Sequence, residues 1–132
     1  MTELKVFENE QFGKLSVMVI KEEPWFIAKQ ITEILGYKDA ESMTRRLDED
    51  EKMLLTIDIA KSLQIVGFDI PTRGMTMINE SGLYSAILGS SKTEAKPFKK
   101  WITSDLLPTI RKTGGYVANE DLGLDEEEMK KN

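Results

Sequence analysis

Three motifs between Asn79 and Tyr116 decide the fold: Asn79-Glu80-Ser81-Gly82-Leu83-Tyr84, Phe98-Lys99-Lys100-Trp101 and Leu107-Pro108-Thr109-Ile110-Arg111-Lys112-Thr113-Gly114-Gly115-Tyr116. The stretch carries six cationic and three acidic side chains, a net charge of +3, in a chain whose formal net charge is −5. It also holds one of the two tryptophans and two of the three tyrosines. The cations of this segment either follow a phosphate backbone or form an ordinary solvated helix face, and the acidic balance of the whole chain argues against nucleic acid as a partner.

Apolar spacing predicts a helix at the start of this stretch. Asn79 or Ser81 can cap it, because a short polar side chain there accepts a hydrogen bond from the first turn. Gly89 ends it. Its predicted buried face consists of Leu83, Tyr84, Ile87 and Leu88.

A second helix is predicted from about Thr93, with Pro97 tolerated in its first turn. Pro108 disfavours a helical Leu107, which predicts a kink there and a last turn that ends at Gly114. The apolar face comprises Ala95, Phe98, Ile102 and Leu106. The opposite face comprises Lys96, Lys99, Lys100 and Thr103.

The rest of the chain predicts a small antiparallel sheet. Residues 4–7 and 15–20 are apolar runs separated by a polar loop, which is typical of a hairpin. Further strands are predicted at Trp25-Phe26, at 52–57 and at 75–78. Between the last two, either Asp58 caps a helix that runs through Ile59, Ala60, Leu63 and Val66, or a strand spans residues 63–70; the pattern favours neither. Arg73, in a turn over residues 71–74, is either a phosphate contact or a solvated loop arginine.

Two short helices form a predicted helix-turn-helix-like pair. The first ends at Gly36, and Asp39 caps the second. The first places Ile27, Ala28, Ile31, Ile34 and Leu35 inward and Lys29, Gln30, Thr32 and Glu33 outward. The second places Ala40, Met43 and Leu47 inward and exposes Glu41, Ser42, Thr44, Arg45 and Arg46.

The second helix of this pair has two interpretations. It can enter a DNA major groove, with Arg45 or Arg46 on base edges and Ser42 and Thr44 on phosphates. Alternatively, the arginines pair with the acidic run 48–51, which would also repel a phosphate one turn away. The aromatic residues Tyr84, Trp101 and Tyr116 likewise either stack on bases or complete a core.

Composition argues against several function classes. The chain has no cysteine and no histidine, which removes the commonest metal ligands and acid-base catalysts. Ser81 lacks the preceding glycine of a nucleophile elbow. We therefore expect no enzyme activity, no cofactor and no metal. The absence of a long apolar run predicts a cytoplasmic protein without a membrane partner.

The ordered motifs resemble the BRO family N-terminal (Bro-N) domain of phage and prophage antirepressors and large DNA viruses. The resemblance covers roughly residues 5–116. It includes the three motifs above, the first extended by the preceding Met77-Ile78 and the second by the preceding Ala95-Lys96-Pro97. It also includes two upstream motifs, Pro24-Trp25-Phe26-Ile27-Ala28-Lys29 and Leu35-Gly36-Tyr37. It implies a DNA-binding domain of an antirepressor in the cytoplasm of a bacterial host. The alternative is a module that inactivates a repressor without binding DNA, and the chain is also a candidate homo-oligomer.

Together these observations predict an α+β domain over residues 1–116, with a small antiparallel sheet and four or five helices, followed by an acidic tail or linker over 117–132. We expect the core to contain Trp25, Phe26, Ile31, Leu35, Leu83, Ile87, Phe98, Ile102 and Leu106. The predicted DNA-binding residues are Lys29, Lys38, Ser42, Thr44, Arg45, Arg46, Lys96, Lys99, Lys100, Arg111 and Lys112.

Overall fold

The computed structural model describes residues 3–65 and 69–113. The predicted hairpin is present: β1 (Glu3–Asn9) pairs antiparallel with β2 (Gly13–Ile20). The side-chain oxygen of Asn9 accepts hydrogen bonds from the backbone N–H groups of Gln11 at 2.8 Å and Phe12 at 3.0 Å, which closes the turn between the strands.

The hairpin extends into a five-stranded sheet in the order β1-β2-β3-β5-β4, in which every neighbouring pair is antiparallel. The added strands are β3 (Glu23–Ile27), β4 (Lys52–Leu55) and β5 (Met75–Asn79). Residues 15–20 of β2 are all buried, so both faces of the sheet are covered there. The α+β class and the small antiparallel sheet are confirmed.

The predicted helix-turn-helix-like pair follows β3. It consists of α1 (Ala28–Leu35) and α2 (Ala40–Thr44). Gly36 ends α1 with a φ of 77°, a left-handed conformation that glycine adopts without a Cβ clash. Asp39 caps α2 by accepting a hydrogen bond from the Ser42 backbone N–H at 2.8 Å.

The inward face of α1 differs from the prediction in two places. Thr32 was expected outward but is buried, whereas Ile34 was expected inward and is half-buried. The Thr32 hydroxyl donates to the Ala28 carbonyl at 2.8 Å and also lies 3.6 Å from the Met43 sulfur. A helix-internal hydrogen bond therefore satisfies the hydroxyl and lets Thr32 pack under α2.

After β4, the helical alternative is the correct one. Helix α3 spans Ile57–Ser62, and residues 63–64 form a turn rather than a strand. The cap is Thr56, whose hydroxyl oxygen accepts from the Ile59 N–H at 3.2 Å; the prediction of Asp58 as cap is wrong. The expected continuation to Val66 lies outside the described residues.

The predicted turn at 71–74 closes with a 2.8 Å hydrogen bond from the Gly74 N–H to the Pro71 carbonyl. Helix α4 (Glu80–Leu88) follows β5, and Asn79 is its cap. Leu83 and Ile87 are buried as expected, but Leu88 is 82% exposed. The buried stripe runs through Gly82, Leu83, Ala86 and Ile87, and Leu88 falls beyond its edge.

The last helical region consists of α5 (Ala95–Trp101), a π-helical segment (Ile102–Leu106) and α6 (Leu107–Thr113). Leu107 is helical, with φ −65° and ψ −41°, although Pro108 was expected to disfavour that conformation. The π turn bonds the Leu107 N–H to the Ile102 carbonyl, five residues back, and so changes the hydrogen-bond register just where the proline ring would clash in an α-helix. The predicted end at Gly114 lies outside the described residues.

The described chain divides into two compact units, one up to Lys99 and one from Lys100 onwards. Of the nine predicted core residues, eight are buried and Trp25 is half-buried. Trp25 packs at the margin of a cluster that contains Met18, Ile27 and Met77 on one face of the sheet. In the first unit, the rings of Phe98 and Phe12 meet edge to face with centroids 5.2 Å apart.

Candidate functional site

The acidic run 48–51 is attached to the beginning of α4. A 3₁₀ turn (Glu49–Glu51) places the Glu51 carboxylate where it accepts from the Ser81 hydroxyl at 2.6 Å and from the Asp48 backbone N–H at 3.0 Å. The Ser81 hydroxyl and then the Asp48 N–H lower the pKa of Glu51. Ser81 thus holds the acidic run in place, which is a structural role.

Asn79 connects three segments at the same point. Its side-chain oxygen accepts from the Gly82 N–H at 2.9 Å, and its Nδ2 donates to the Asp50 carbonyl at 3.0 Å and to the Glu23 carboxylate at 3.2 Å. At Gly82, a Cβ would lie 2.8 Å from the Glu51 carbonyl oxygen, so only glycine lets the backbones approach this closely. The most conspicuous motif in the sequence therefore assembles the fold.

The polar residues of α2 are engaged within the helix. The Ser42 hydroxyl donates to the Asp39 carboxylate at 2.7 Å. Thr44 is buried and donates to the Ala40 carbonyl at 2.9 Å, so the prediction that it faces solvent and contacts phosphate is wrong. Thr44 is the last residue of α2, and the Lys52 ammonium donates to its carbonyl at 3.2 Å, so the chain beyond α2 folds back against this residue.

The two arginines after α2 lie in different surroundings. Arg45 is exposed and forms an ion pair with Glu41 at 3.9 Å, one helical turn back, rather than with the acidic run. Arg46 is also exposed, but its guanidinium lies at the end of α4: a Cβ on Gly89 would lie 2.7 Å from its Nη1 and 2.7 Å from the Tyr37 hydroxyl oxygen. Arg45 is thus paired along α2, whereas Arg46 lies beside the end of α4.

Tyr37 joins the helix pair to the same end of α4. Its hydroxyl donates to the Ala86 carbonyl at 2.7 Å, and its partial burial raises its pKa. Ser90 adds a second link, because its hydroxyl donates to the Leu35 carbonyl at 2.8 Å. A cation beside the last turn of α4, as Arg46 provides, is favoured by the helix dipole.

The predicted lysine face of α5 is present. Lys96 and Lys99 are exposed in the first unit, and Lys100, Arg111 and Lys112 are exposed in the second. Phe98, between the lysines in sequence, is fully buried, so the helix separates an apolar and a cationic face as expected. Tyr84 and Trp101 are both half-buried, and Tyr116 lies outside the described residues.

A cleft of about 840 Å³ lies between α1, the α1–α2 turn and the 71–74 turn. We call it the α1–β5 cleft. The cations lining it are Lys29, Lys38 and Arg73, and the acids are Glu33 and Asp39. Lys29 and Lys38 were predicted DNA-binding residues. For Arg73, the sequence left two interpretations open, a phosphate contact or a solvated loop arginine.

Arg73 could be placed in this cleft only from the strand order. The register of β3 and β5 pairs Ile27 with Met77, so the turn that precedes β5 lies beside the start of α1. No local motif carries that information. Within the described residues, no helix is long and apolar enough to cross a membrane, and no group of three or more acidic side chains is placed to hold a metal ion.

The chain is similar to known proteins along most of its length. Residues 14–108 match the model of the BRO family, N-terminal domain. An uncharacterized protein of Haemophilus influenzae is 35% identical over 94% of this chain and 60% of its own length. A putative Bro-N domain-containing protein, 201R, of Invertebrate iridescent virus 6 is 32% identical over 92% of this chain and 31% of its own.

This chain thus spans 60% of the length of the first relative and 31% of the length of the second. No solved structure matches it. The family match covers more than half of the chain, includes Lys29, Lys38, Arg73 and the Asn79 motif, and agrees with the order of motifs in the sequence. The chain belongs to the BRO family and contains its N-terminal domain.

Proposed function

We propose that this chain is a DNA-binding regulatory domain of an antirepressor-type transcription regulator of phage or prophage origin. It acts by binding, without catalysis, in the cytoplasm of a bacterial host. The observation that supports this best is the exposure of the predicted cations Lys29, Lys38, Arg45 and Lys96, while the Glu51 carboxylate of the acidic run is engaged by the Ser81 hydroxyl and the Asp48 N–H. The positive side chains are thus open to a polyanion.

For Arg45, an anionic partner would have to replace only a weak ion pair within the protein. Its ion pair with Glu41 joins two largely exposed side chains at 3.9 Å, and exposed pairs of this kind contribute only about 0–1 kcal/mol. A phosphate or a base edge can replace Glu41 at small cost. Arg45 lies at the end of α2 rather than at its beginning, which differs from the usual helix-turn-helix arrangement.

The test is a salt titration of the binding of a labelled random-sequence DNA duplex. If the cations neutralise phosphates, log K falls with log[salt] by about 0.9 for each phosphate contacted. Arg45→Ala is expected to cost about 1–3 kcal/mol on a preferred sequence and little on others if Arg45 reads bases. Lys61→Ala, an exposed lysine on α3, is the control. No affinity for any duplex at low salt would contradict DNA binding.

The alternative function is inactivation of a repressor through protein contact alone. The formal net charge of −5 favours it, because an acidic chain complements a basic DNA-binding protein. This alternative predicts no DNA affinity at low salt, together with repressor binding that weakens when Glu126, Glu127 and Glu128 are changed to Gln. Strong DNA binding by the full chain would favour the first function over this one.

A further inference from the structure

We infer that the α1–β5 cleft binds DNA backbone phosphates and that Arg73 contacts them alongside Lys29 and Lys38. This inference rests on the proposed DNA-binding function. It assigns the contact to one concave site and adds a residue from a loop that local sequence patterns do not single out. The chemical class of ligand is a phosphodiester strand.

The first support is the origin of the three cations. Lys29 projects from α1, Lys38 from the turn after it, and Arg73 from the turn before β5, yet all line one cleft. Their convergence brings like charges together, and the two acids on the lining offset that repulsion only in part. This convergence is explained by a polyanionic ligand, for which the planar guanidinium of Arg73 supplies a paired donor edge.

The second support is that the walls of the cleft are fixed before any ligand arrives. The Gly74 N–H donates to the Pro71 carbonyl at 2.8 Å, which closes the turn carrying Arg73, and the Tyr37 N–H donates to the Thr32 carbonyl at 3.1 Å, which closes the end of α1 beside Lys38. Ile27 and Ala28 on its lining are buried. A prepared site loses less conformational entropy on binding.

Two acids also line the cleft, leaving a local net charge of +1 from three cations and two carboxylates. Asp39 is engaged as the cap of α2, where it accepts hydrogen bonds from the Ser42 N–H and hydroxyl. Glu33 is exposed on α1 and stands one helical turn after Lys29. Glu33 is therefore the carboxylate that most directly opposes a phosphate.

The loss experiment compares two charge-matched double variants in the same salt titration with a labelled duplex. Lys38→Gln with Arg73→Gln should lower the salt slope by about 2, because two phosphate contacts are lost. Lys14→Gln with Lys61→Gln removes the same charge from exposed positions outside the cleft and should leave the slope unchanged. Equal effects of the two pairs would overturn the inference and leave the proposed function standing.

The gain experiment cannot be mimicked by misfolding. Glu33→Gln should raise the affinity for the duplex several-fold, whereas Asp58→Asn, an exposed acid on α3, should raise it much less. In the unsubstituted chain, bound DNA should also protect Lys29 and Lys38 from amine acetylation more than Lys14 and Lys61. The phosphate site would be overturned if DNA bound without this protection. It would also be overturned if the cleft variants lost affinity for an acidic peptide but kept their affinity for DNA. Absence of DNA binding by the wild type would instead reject the proposed function together with it.

Discussion

The corner where Asn79, Ser81 and Glu51 meet, called here the Asn79 corner, and the α1–β5 cleft both gather polar side chains but use them in opposite ways. At the corner, Asn79, Ser81 and Glu51 satisfy one another or nearby backbone groups within hydrogen-bonding distance. In the cleft, Lys29, Lys38 and Arg73 are gathered and exposed. A motif that is conspicuous in the sequence can thus build the fold, while the residues proposed to bind come from less distinctive segments.

The largest effect that we expect is a loss of stability on substitution in α5, a helix with one buried face and one exposed cationic face. Phe98 is fully buried on α5 and meets Phe12 edge to face, whereas Lys99 next to it is exposed. Phe98→Ala should lower the free energy of unfolding by about 3–5 kcal/mol, because it leaves a cavity. Lys96→Ala, on the exposed face, is the control in urea denaturation. An unchanged midpoint for Phe98→Ala would show that the buried face of α5 is misassigned.

A smaller loss is expected at the corner itself. Asn79→Ala removes the cap of α4 and the donors to Asp50 and Glu23 from a buried position, and should cost about 1–3 kcal/mol. Asn79→Ser keeps a capping oxygen for the Gly82 N–H but loses the amide donors, without placing a second carboxylate beside Glu23, so its stability separates cap from cross-link. If both variants melt like the wild type, the corner does not hold these segments together.

The corner also shows how far sequence reasoning reaches. Asp39 and Gly36 were predicted correctly, and Asn79 was one of the two caps considered for α4, because a cap or a left-handed end depends on a few neighbouring residues. The burial of Thr32 and Thr44 and the exposure of Leu88 were not, because they depend on which stripe of each helix faces the rest of the fold. The cleft depends on the β3–β5 register, which no local pattern reveals.

The same contrast, between a side chain that supports the fold and one that is open to a partner, applies to the neighbouring residues Arg46 and Arg45. Arg46 lies by the end of α4, where a cation contributes about 0.3–1 kcal/mol, so Arg46→Ala should lower thermal stability slightly. Arg45→Ala should leave stability almost unchanged and act instead on DNA affinity. Thermal denaturation and DNA titration of both variants test this division, and the reverse assignment of the two effects would contradict it.

The smallest effect concerns pH and Glu51. Its pKa is lowered in the folded state, first by the Ser81 hydroxyl and then by the Asp48 N–H. The ionised carboxylate therefore contributes stability above the pKa of the unfolded chain, and this contribution is lost as pH falls through the lower folded-state pKa. The stability difference between wild type and Ser81→Ala should shrink on acidification below about pH 4, the ordinary range of a glutamate. A difference that stays constant from neutral to acidic pH would show that this bond does not depend on ionisation.

The π-helical segment Ile102–Leu106 changes the direction in which the side chains after it point. Its closing bond joins residues five apart, one more than in an α-helix. Each residue of an α-helix advances the chain by about 100° around its axis. Because the wide turn takes up one extra residue, Arg111 and Lys112 point about 100° away from where an uninterrupted α-helix of the same length would place them relative to Lys100. The aim of these two cations is thus encoded by the length of the segment as well as by its composition.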